Sequence, residues 1–179
     1  MRFGSHHNHP KTDAASSVMN HSVSRYDLIV NWAAVLVWMI VIFIFSTDHF
    51  SSARTTPVIA PFLSSLFPGL AEAHIENIGL SLRKLGHWSE YFILAVLLMR
   101  ALSGEFSRLG AKRLMLWSVA FAVMYAVSDE LHQSFVPSRS ASAVDVSIDA
   151  IGAICGTLLS YRRNRRTRMG AEAHATARR

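Results

Sequence analysis

Long apolar runs separated by polar stretches dominate the chain. The clearest is Leu28–Phe45, which is apolar except for Asn31. At 1.5 Å per residue a helix of this length reaches about 27 Å, close to the thickness of a bilayer's hydrocarbon core. Three weaker runs follow, and the last carries Asp145 and Asp149 in its first half. The pattern predicts an all-α polytopic membrane protein, a bundle of four transmembrane helices at about residues 28–46, 85–102, 113–131 and 143–161.

The basic residues are distributed unevenly around these spans. With both termini on the inside, the 18 Lys and Arg divide 14 inside to 4 outside, as the positive-inside rule requires. We therefore predict that both termini are cytoplasmic. The expected organisation is a disordered cytoplasmic tail (1–24), a membrane domain (25–161) with an outer loop (47–84), and a basic cytoplasmic tail (162–179). Pro57, Pro61, Pro68 and Gly69 are expected to break the first half of that loop.

Composition agrees with a membrane protein. Charged residues make up 17% of the chain, against about 25% in an average soluble domain. The pI of about 10.1 raises the possibility of nucleic-acid binding. However, much of the excess is Arg directly after the last apolar run, where basic residues contact anionic lipid. We therefore predict membrane lipid as a partner and no nucleic acid.

The predicted topology brings polar residues from all four spans to the same outer level. Helical spacing then places many of them on shared faces. The three sets are Lys84, His87 and Tyr91; Asp129, His132 and Gln133; and Asp145, Asp149, Gly152 and Gly156. The last set includes a GxxxG pattern, which allows a neighbouring helix to approach closely. The aspartates should therefore lie on a packed face rather than a lipid face.

Asp145 and Asp149 repel each other in a dry site unless a cation lies nearby. The candidate cations are Arg139, Lys84, a protonated His87 or His132, or a metal ion.

The outer polar residues are the candidate site. Carboxylates with imidazole can relay protons, bind a hard cation or activate water, and Arg139 can hold a carboxylate or phosphate. The catalytic candidates are Asp129, Glu130, His132, Arg139, Asp145 and Asp149, and the substrate-binding candidates are Lys84, His87, Tyr91, Gln133 and Arg139. No short metal-ligand motif or recognised nucleophile is present, so no metal or cofactor is predicted and enzymatic activity stays open. The alternative is a polar network that only holds the helix ends together.

Two motifs carry a family resemblance. D-E-L-H-Q-x-F-V-P-x-R over Asp129–Arg139 and D-V-x-x-D-x-x-G-x-x-x-G over Asp145–Gly156 strongly resemble the VanZ-like membrane proteins. Upstream, K-x-x-H-x-x-x-Y and the Phe45–Ser46 pair also fit, while Ser138 stands where the family commonly has Gly. The resemblance implies a small polytopic bacterial membrane protein, which we therefore expect in the bacterial inner (plasma) membrane. The family is named for a protein linked to teicoplanin resistance.

Three functions are compatible with these features. The first is an outward-facing site that acts on a cell-envelope component, such as a lipid-linked or peptidoglycan-related molecule, or that contributes to glycopeptide resistance. The second is a small proton-coupled transporter. The third is a scaffold whose polar cluster only locks the helix packing. The oligomeric state is left open.

Overall fold

The computed structural model describes residues 24–47, 52–69, 71–137, 139 and 141–177, and within these ranges the only regular structure is α-helix. The all-α prediction is therefore confirmed. The helices are α1 (Arg25–Ser46), α2 (Ser52–Leu66), α3 (Glu72–Glu105), α4 (Ala111–Gln133) and α5 (Ala143–Ala177). The tail predicted as disordered lies outside the described residues, except for Ser24, whose hydroxyl accepts a hydrogen bond from the Tyr26 amide and caps α1.

Within the described residues, three helices are long and apolar enough to cross a membrane: α1, α4 and the Ala143–Thr167 part of α5. Their outward faces are apolar, as Leu36, Val37 and Ile40 of α1 show, so lipid can surround them. The second predicted span lies within α3, whose apolar run is flanked by charged and polar side chains, and α3 is not among the three. The four-span arrangement and the cytoplasmic termini therefore stay predictions.

The predicted outer loop contains more helix than its prolines suggest. Pro57 and Pro61 were expected to break the chain, but both lie inside α2, so this expectation is wrong. Both rings are exposed, so neither is forced into the packed interior. The chain turns after α2 at Pro68 and Gly69, and Gly69 has a φ of +97°, which favours glycine. Residues 72–84 belong to the first half of α3.

Helix α3 is the centre of the bundle and contacts each of the other four helices. It contributes Tyr91, Leu94 and Ala95 to a core that α4 and α5 complete with small residues such as Ala122 and Ala153. Small side chains allow the helices to pack closely, as in membrane proteins, where packing rather than water exclusion holds helices together.

Contacts between the helices fix their relative directions. Gly152 of α5 lies against Trp88 of α3, and Gly156 lies against Phe92, so α3 and α5 run parallel. The Tyr125 hydroxyl donates to the Met39 carbonyl at 2.6 Å, and the rings of His132 and Phe43 lie 4.8 Å apart, so α1 and α4 also run parallel.

The two parallel pairs run in opposite directions. Ser118 of α4 contacts Thr157 of α5, and Glu130, further along α4, binds the amide of Ser142 just before α5. The ends of α1 and α4 therefore lie beside the start of α5. We call this the polar end of the bundle.

Candidate functional site

Close backbone approach between α3 and α5 builds the polar end. A Cβ on Gly152 would overlap the carbonyl oxygen of Trp88, and one on Gly156 would overlap that of Phe92. Only glycine permits this spacing. Since Asp149 is one turn before Gly152, and His87 directly precedes Trp88, the same approach brings these two side chains together.

The two aspartates of α5 have different cationic partners. Asp145 Oδ2 lies 3.2 Å from Nη2 of Arg83, and Asp149 Oδ1 lies 3.3 Å from Nδ1 of His87. His87 was among the cations considered from sequence, whereas Arg83 was not. The repulsion between the two carboxylates is thus reduced by two cationic side chains of α3 when His87 is protonated.

Glu130 of α4 fixes the start of α5. Its Oε2 accepts a hydrogen bond of 2.8 Å from the Ser142 amide, and the Ser142 hydroxyl accepts one of 3.3 Å from the Asp145 amide. These bonds satisfy amide groups that a helix start leaves without intrahelical partners. Glu130 is itself buried, and so are its neighbours Asp129 and Gln133, which share a 3.1 Å hydrogen bond.

Arg139 lies in the loop between α4 and α5 and connects this loop with the end of α1 and with the end of α4. Its Nη2 donates to the carbonyl oxygens of Phe45 and Thr47 at the end of α1, at 2.6 and 3.2 Å, and its Nη1 contacts Gln133 Oε1 at 3.5 Å. A guanidinium at a helix C-terminus also complements the helix dipole. Burial, and next the Arg83 guanidinium, lowers the pKa of Arg139, although a guanidinium remains charged at neutral pH. The position is therefore favourable for an additional anion.

A cavity of about 590 Å³ opens between α1, α2, α3 and α4 at this end. Both polar and apolar side chains line it. The polar lining residues are Ser46, Glu76, Arg83, His87, Glu90, Asp129, Gln133 and Arg139, and the apolar ones include Phe45, Ile59, Ala60, Ile75, Leu80 and Leu82. A cavity with both kinds of surface suits an amphipathic ligand.

The structure separates the predicted site residues into three groups. His87, Asp129, Gln133 and Arg139 line the cavity, and Glu130, Asp145 and Asp149 are buried in the contacts described above. Three candidates lie elsewhere. Lys84 is exposed, Tyr91 is fully buried in the core, and His132 packs its ring against Phe43; none of them lines the cavity.

The cavity residues that were missed as candidates include Arg83 and Glu90. A signal for them exists in the sequence, because Arg83, His87 and Glu90 are spaced by four and then three residues and so share one helical face. The sequence interpretation chose the neighbouring face through Lys84 and Tyr91 instead. Both choices include His87, and only the packing of α3 against the other helices distinguishes them.

One group of side chains has the composition of a metal site. Ligand atoms of His87, Glu130 and Asp149 lie within 4.8 Å of one another, and all three residues are buried. They come from α3, α4 and α5, so no short sequence motif indicates them.

Fold and composition define an α-helical membrane protein with charged side chains gathered at one end of its bundle. The VanZ/LLP1 family model matches residues 31–164, which covers the apolar segments and the polar end, and the chain belongs to this family. The resemblance seen in the sequence is thereby confirmed. Ser138, its one departure, lies outside the described residues. No curated protein and no solved structure matches the chain.

Proposed function

We propose that this VanZ-family membrane protein binds the anionic head group of an amphipathic cell-envelope molecule in the cavity at its polar end, which faces outward. The observation that carries the proposal is the cavity itself. It is lined by both charged and apolar side chains, and it has room for a head group with the first part of its chain.

Two arginines in the cavity offer charged hydrogen-bond donors to an anion. Arg83 and Arg139 already bind Asp145 and backbone carbonyls, but their buried Nε atoms have no hydrogen-bond partner within the described part of the chain. Hydrogen bonds from a guanidinium to phosphate or carboxylate oxygens are among the strongest available to a protein. A phosphate that contacts both side chains would accept hydrogen bonds from their guanidinium groups.

The acidic side chains favour a ligand that also carries hydrogen-bond donors. Glu90 and Asp129 line the same cavity, and an ionised carboxylate only accepts hydrogen bonds. A sugar or peptide attached to a lipid phosphate supplies hydroxyl or amide donors beside the anionic group. This chemistry is that of a lipid-linked cell-wall intermediate, and the carboxylates are then placed for acid–base chemistry on it.

The transporter alternative has less support from the described core. Beyond the polar end, buried positions such as Leu94, Leu98 and Ala122 are apolar, and the main polar contact there joins Ser118 to Thr157. Proton relays across membranes use chains of ionisable side chains, and the core described here does not continue the polar cluster in that way.

Binding of a polyprenyl phosphate to the purified protein tests the proposal. Native mass spectrometry in detergent should show a preference for the phosphate over phosphatidylcholine. Arg83→Met should weaken this binding about 10- to 150-fold, the equivalent of a charged hydrogen bond of about 1.5–3 kcal/mol. Lys84→Met is the matched control, because Lys84 is the adjacent residue but is exposed and does not line the cavity.

Two results would contradict head-group binding. One is a wild-type protein with no preference for the phosphate, which needs no variant to interpret. The other is an equal loss of affinity for Lys84→Met and Arg83→Met with both variants folded, as judged by thermal unfolding. Retained binding in both variants, with stability reduced in Arg83→Met alone, would favour the scaffold alternative, because Arg83 also pairs with Asp145.

We also propose that the protein contributes to resistance to teicoplanin-type glycopeptides, which act on envelope intermediates. The support is family membership together with the head-group cavity. Expression in a susceptible bacterium should raise the minimal inhibitory concentration of teicoplanin. Arg83→Met should abolish the increase and Lys84→Met should retain it, at equal protein levels in the membrane. An unchanged inhibitory concentration with the wild-type protein would reject the role in resistance. It would not bear on head-group binding, which the binding experiment above tests separately.

A further inference from the structure

We propose that His87, Glu130 and Asp149 bind a divalent transition-metal ion of the zinc or manganese class at the polar end of the bundle. This inference goes beyond head-group binding and does not depend on it. It rests on three observations: the convergence of ligand atoms, the shortage of hydrogen-bond donors for the carboxylate oxygens, and the contacts that hold these side chains in place.

The ligand atoms are close to the spacing that a metal ion imposes. One imidazole nitrogen and two carboxylate oxygens from three helices lie within 4.8 Å of one another. Zinc binds nitrogen and oxygen at about 2.0–2.2 Å, which places tetrahedral ligands about 3.4 Å apart. Side-chain rotations that move each atom by about 1 Å close this difference without moving the helices. Imidazole with carboxylates is a set suited to zinc or manganese.

The buried acids have fewer hydrogen-bond donors than acceptor oxygens. Asp149 is 1% exposed; its Oδ1 lies 3.3 Å from Nδ1 of His87, and its Oδ2 has no hydrogen-bond partner within the described residues. Glu130 Oε1 likewise has no hydrogen-bond partner among those residues. A proton on His87 Nδ1 would serve one acceptor, the Asp149 oxygen 3.3 Å away. A divalent cation would satisfy the nitrogen and the carboxylates together, and buried carboxylates need such compensation.

Neighbouring contacts orient the ligands. The Ser142 amide binds Glu130 Oε2 and leaves Oε1 available, and Gln133 binds Asp129 Oδ2 and leaves Oδ1 available beside the cluster. Bonds of this kind fix ligand orientation in metal sites and strengthen binding. His87 and Asp129 also line the cavity, which provides a route for the ion from outside the bundle.

Metal binding by the full-length protein in detergent is the direct test. His6, His7 and His9 are first replaced by alanine in every protein compared, because the N-terminal histidines provide a competing source of binding. After removal of metal with EDTA, equilibrium dialysis against Zn²⁺ or Mn²⁺ and elemental analysis should give about one ion per chain. Mg²⁺ should bind more weakly, since it retains its water and prefers oxygen ligands.

Variants then locate the ion. Asp149→Asn and Glu130→Gln should each weaken binding at least tenfold, because even the loss of an outer hydrogen bond costs about 10–100-fold in known metal sites. Asp145→Asn is the matched control. It removes the same charge one turn away on the same helix, but Asp145 binds Arg83 and is not part of the cluster. It should keep the stoichiometry and stay within a few-fold of the original affinity.

Two outcomes would overturn the proposal. One is the absence of stoichiometric Zn²⁺ or Mn²⁺ binding to the protein with an intact cluster, a result that stands whether or not any variant folds. The other is equal weakening by Asp145→Asn and Asp149→Asn, which would show that net charge rather than ligation controls binding. Binding of the polyprenyl phosphate is measured in parallel with EDTA present. If it is retained while the protein binds no metal, the metal site fails and the proposed head-group binding does not.

Discussion

Gly152→Ala should destabilise the bundle, because Gly152 is a point of backbone contact between α3 and α5. The added Cβ would overlap the carbonyl oxygen of Trp88 and lie 3.1 Å from its carbonyl carbon and 3.3 Å from the Phe92 nitrogen. All three are backbone atoms of a central helix, so no flexible side chain can move aside. The two helices must separate instead.

The expected cost follows from this geometry. Ordinary separation between a carbon and a carbonyl oxygen is about 3.3–3.6 Å, so the helices must move apart by about 1 Å. Overpacking of this kind costs about 1–3 kcal/mol. We expect the free energy of unfolding to fall by about this amount, 1–3 kcal/mol. Asp149 also moves away from His87, so the distance of 3.3 Å between their side chains should increase.

Thermal unfolding of the purified protein in detergent measures the effect. Gly86→Ala is the matched control, because Gly86 is also helical but a Cβ there meets nothing within 4 Å. It should be neutral or stabilising by about 0.5–1 kcal/mol, since alanine favours helix over glycine. If Gly152→Ala unfolds at the wild-type temperature, or if Gly86→Ala is destabilised to the same extent, the close-approach reasoning is refuted.

Two further predictions concern topology and the core. The first uses a Cys155→Ser background, which removes the natural cysteine. There, Ser134→Cys should react with a membrane-impermeant maleimide on intact cells, whereas Thr167→Cys should react only after the cells are permeabilised. The reverse pattern would contradict cytoplasmic termini. Ser118→Ala should lower the free energy of unfolding by about 0.5–1.5 kcal/mol in a chemical unfolding assay, because it removes a donor to the Ala95 carbonyl. A decrease above about 3 kcal/mol would show that Ser118 does more than this bond indicates.

Much of the polar end is readable in the sequence, because the helical period places its residues on shared faces. Asp145, Asp149, Gly152 and Gly156 were expected on a packed face, and the structure places Asp145, Asp149 and both glycines in buried contacts. The prediction succeeds for two reasons. A GxxxG pattern in an apolar helix indicates close packing against another helix, and an acidic side chain in such a helix faces the bundle rather than lipid.

Other residues were assigned to the wrong neighbourhood because periodicity gives a face but not its partner. Lys84 and Arg83 are adjacent, and only the rotation of α3 in the bundle decides that Arg83 faces the cavity and Lys84 is exposed. His132 shares a predicted face with Asp129, yet it packs against Phe43 because α1 lies on that side. Pro57 and Pro61 lie in a helix although both residues usually end one.

The sequence by itself determined the class of the protein: apolar runs long enough to cross a bilayer, charge gathered near their ends, and the motifs of its family. These properties are local, because hydropathy and helical period depend only on neighbouring residues. The tertiary structure decided which charges meet. His87, Glu130 and Asp149 come from three helices, and the distances between them depend on how closely those helices pack. The closest approach, at Gly152 and Gly156, makes a cluster of charges that the sequence shows only as separate residues.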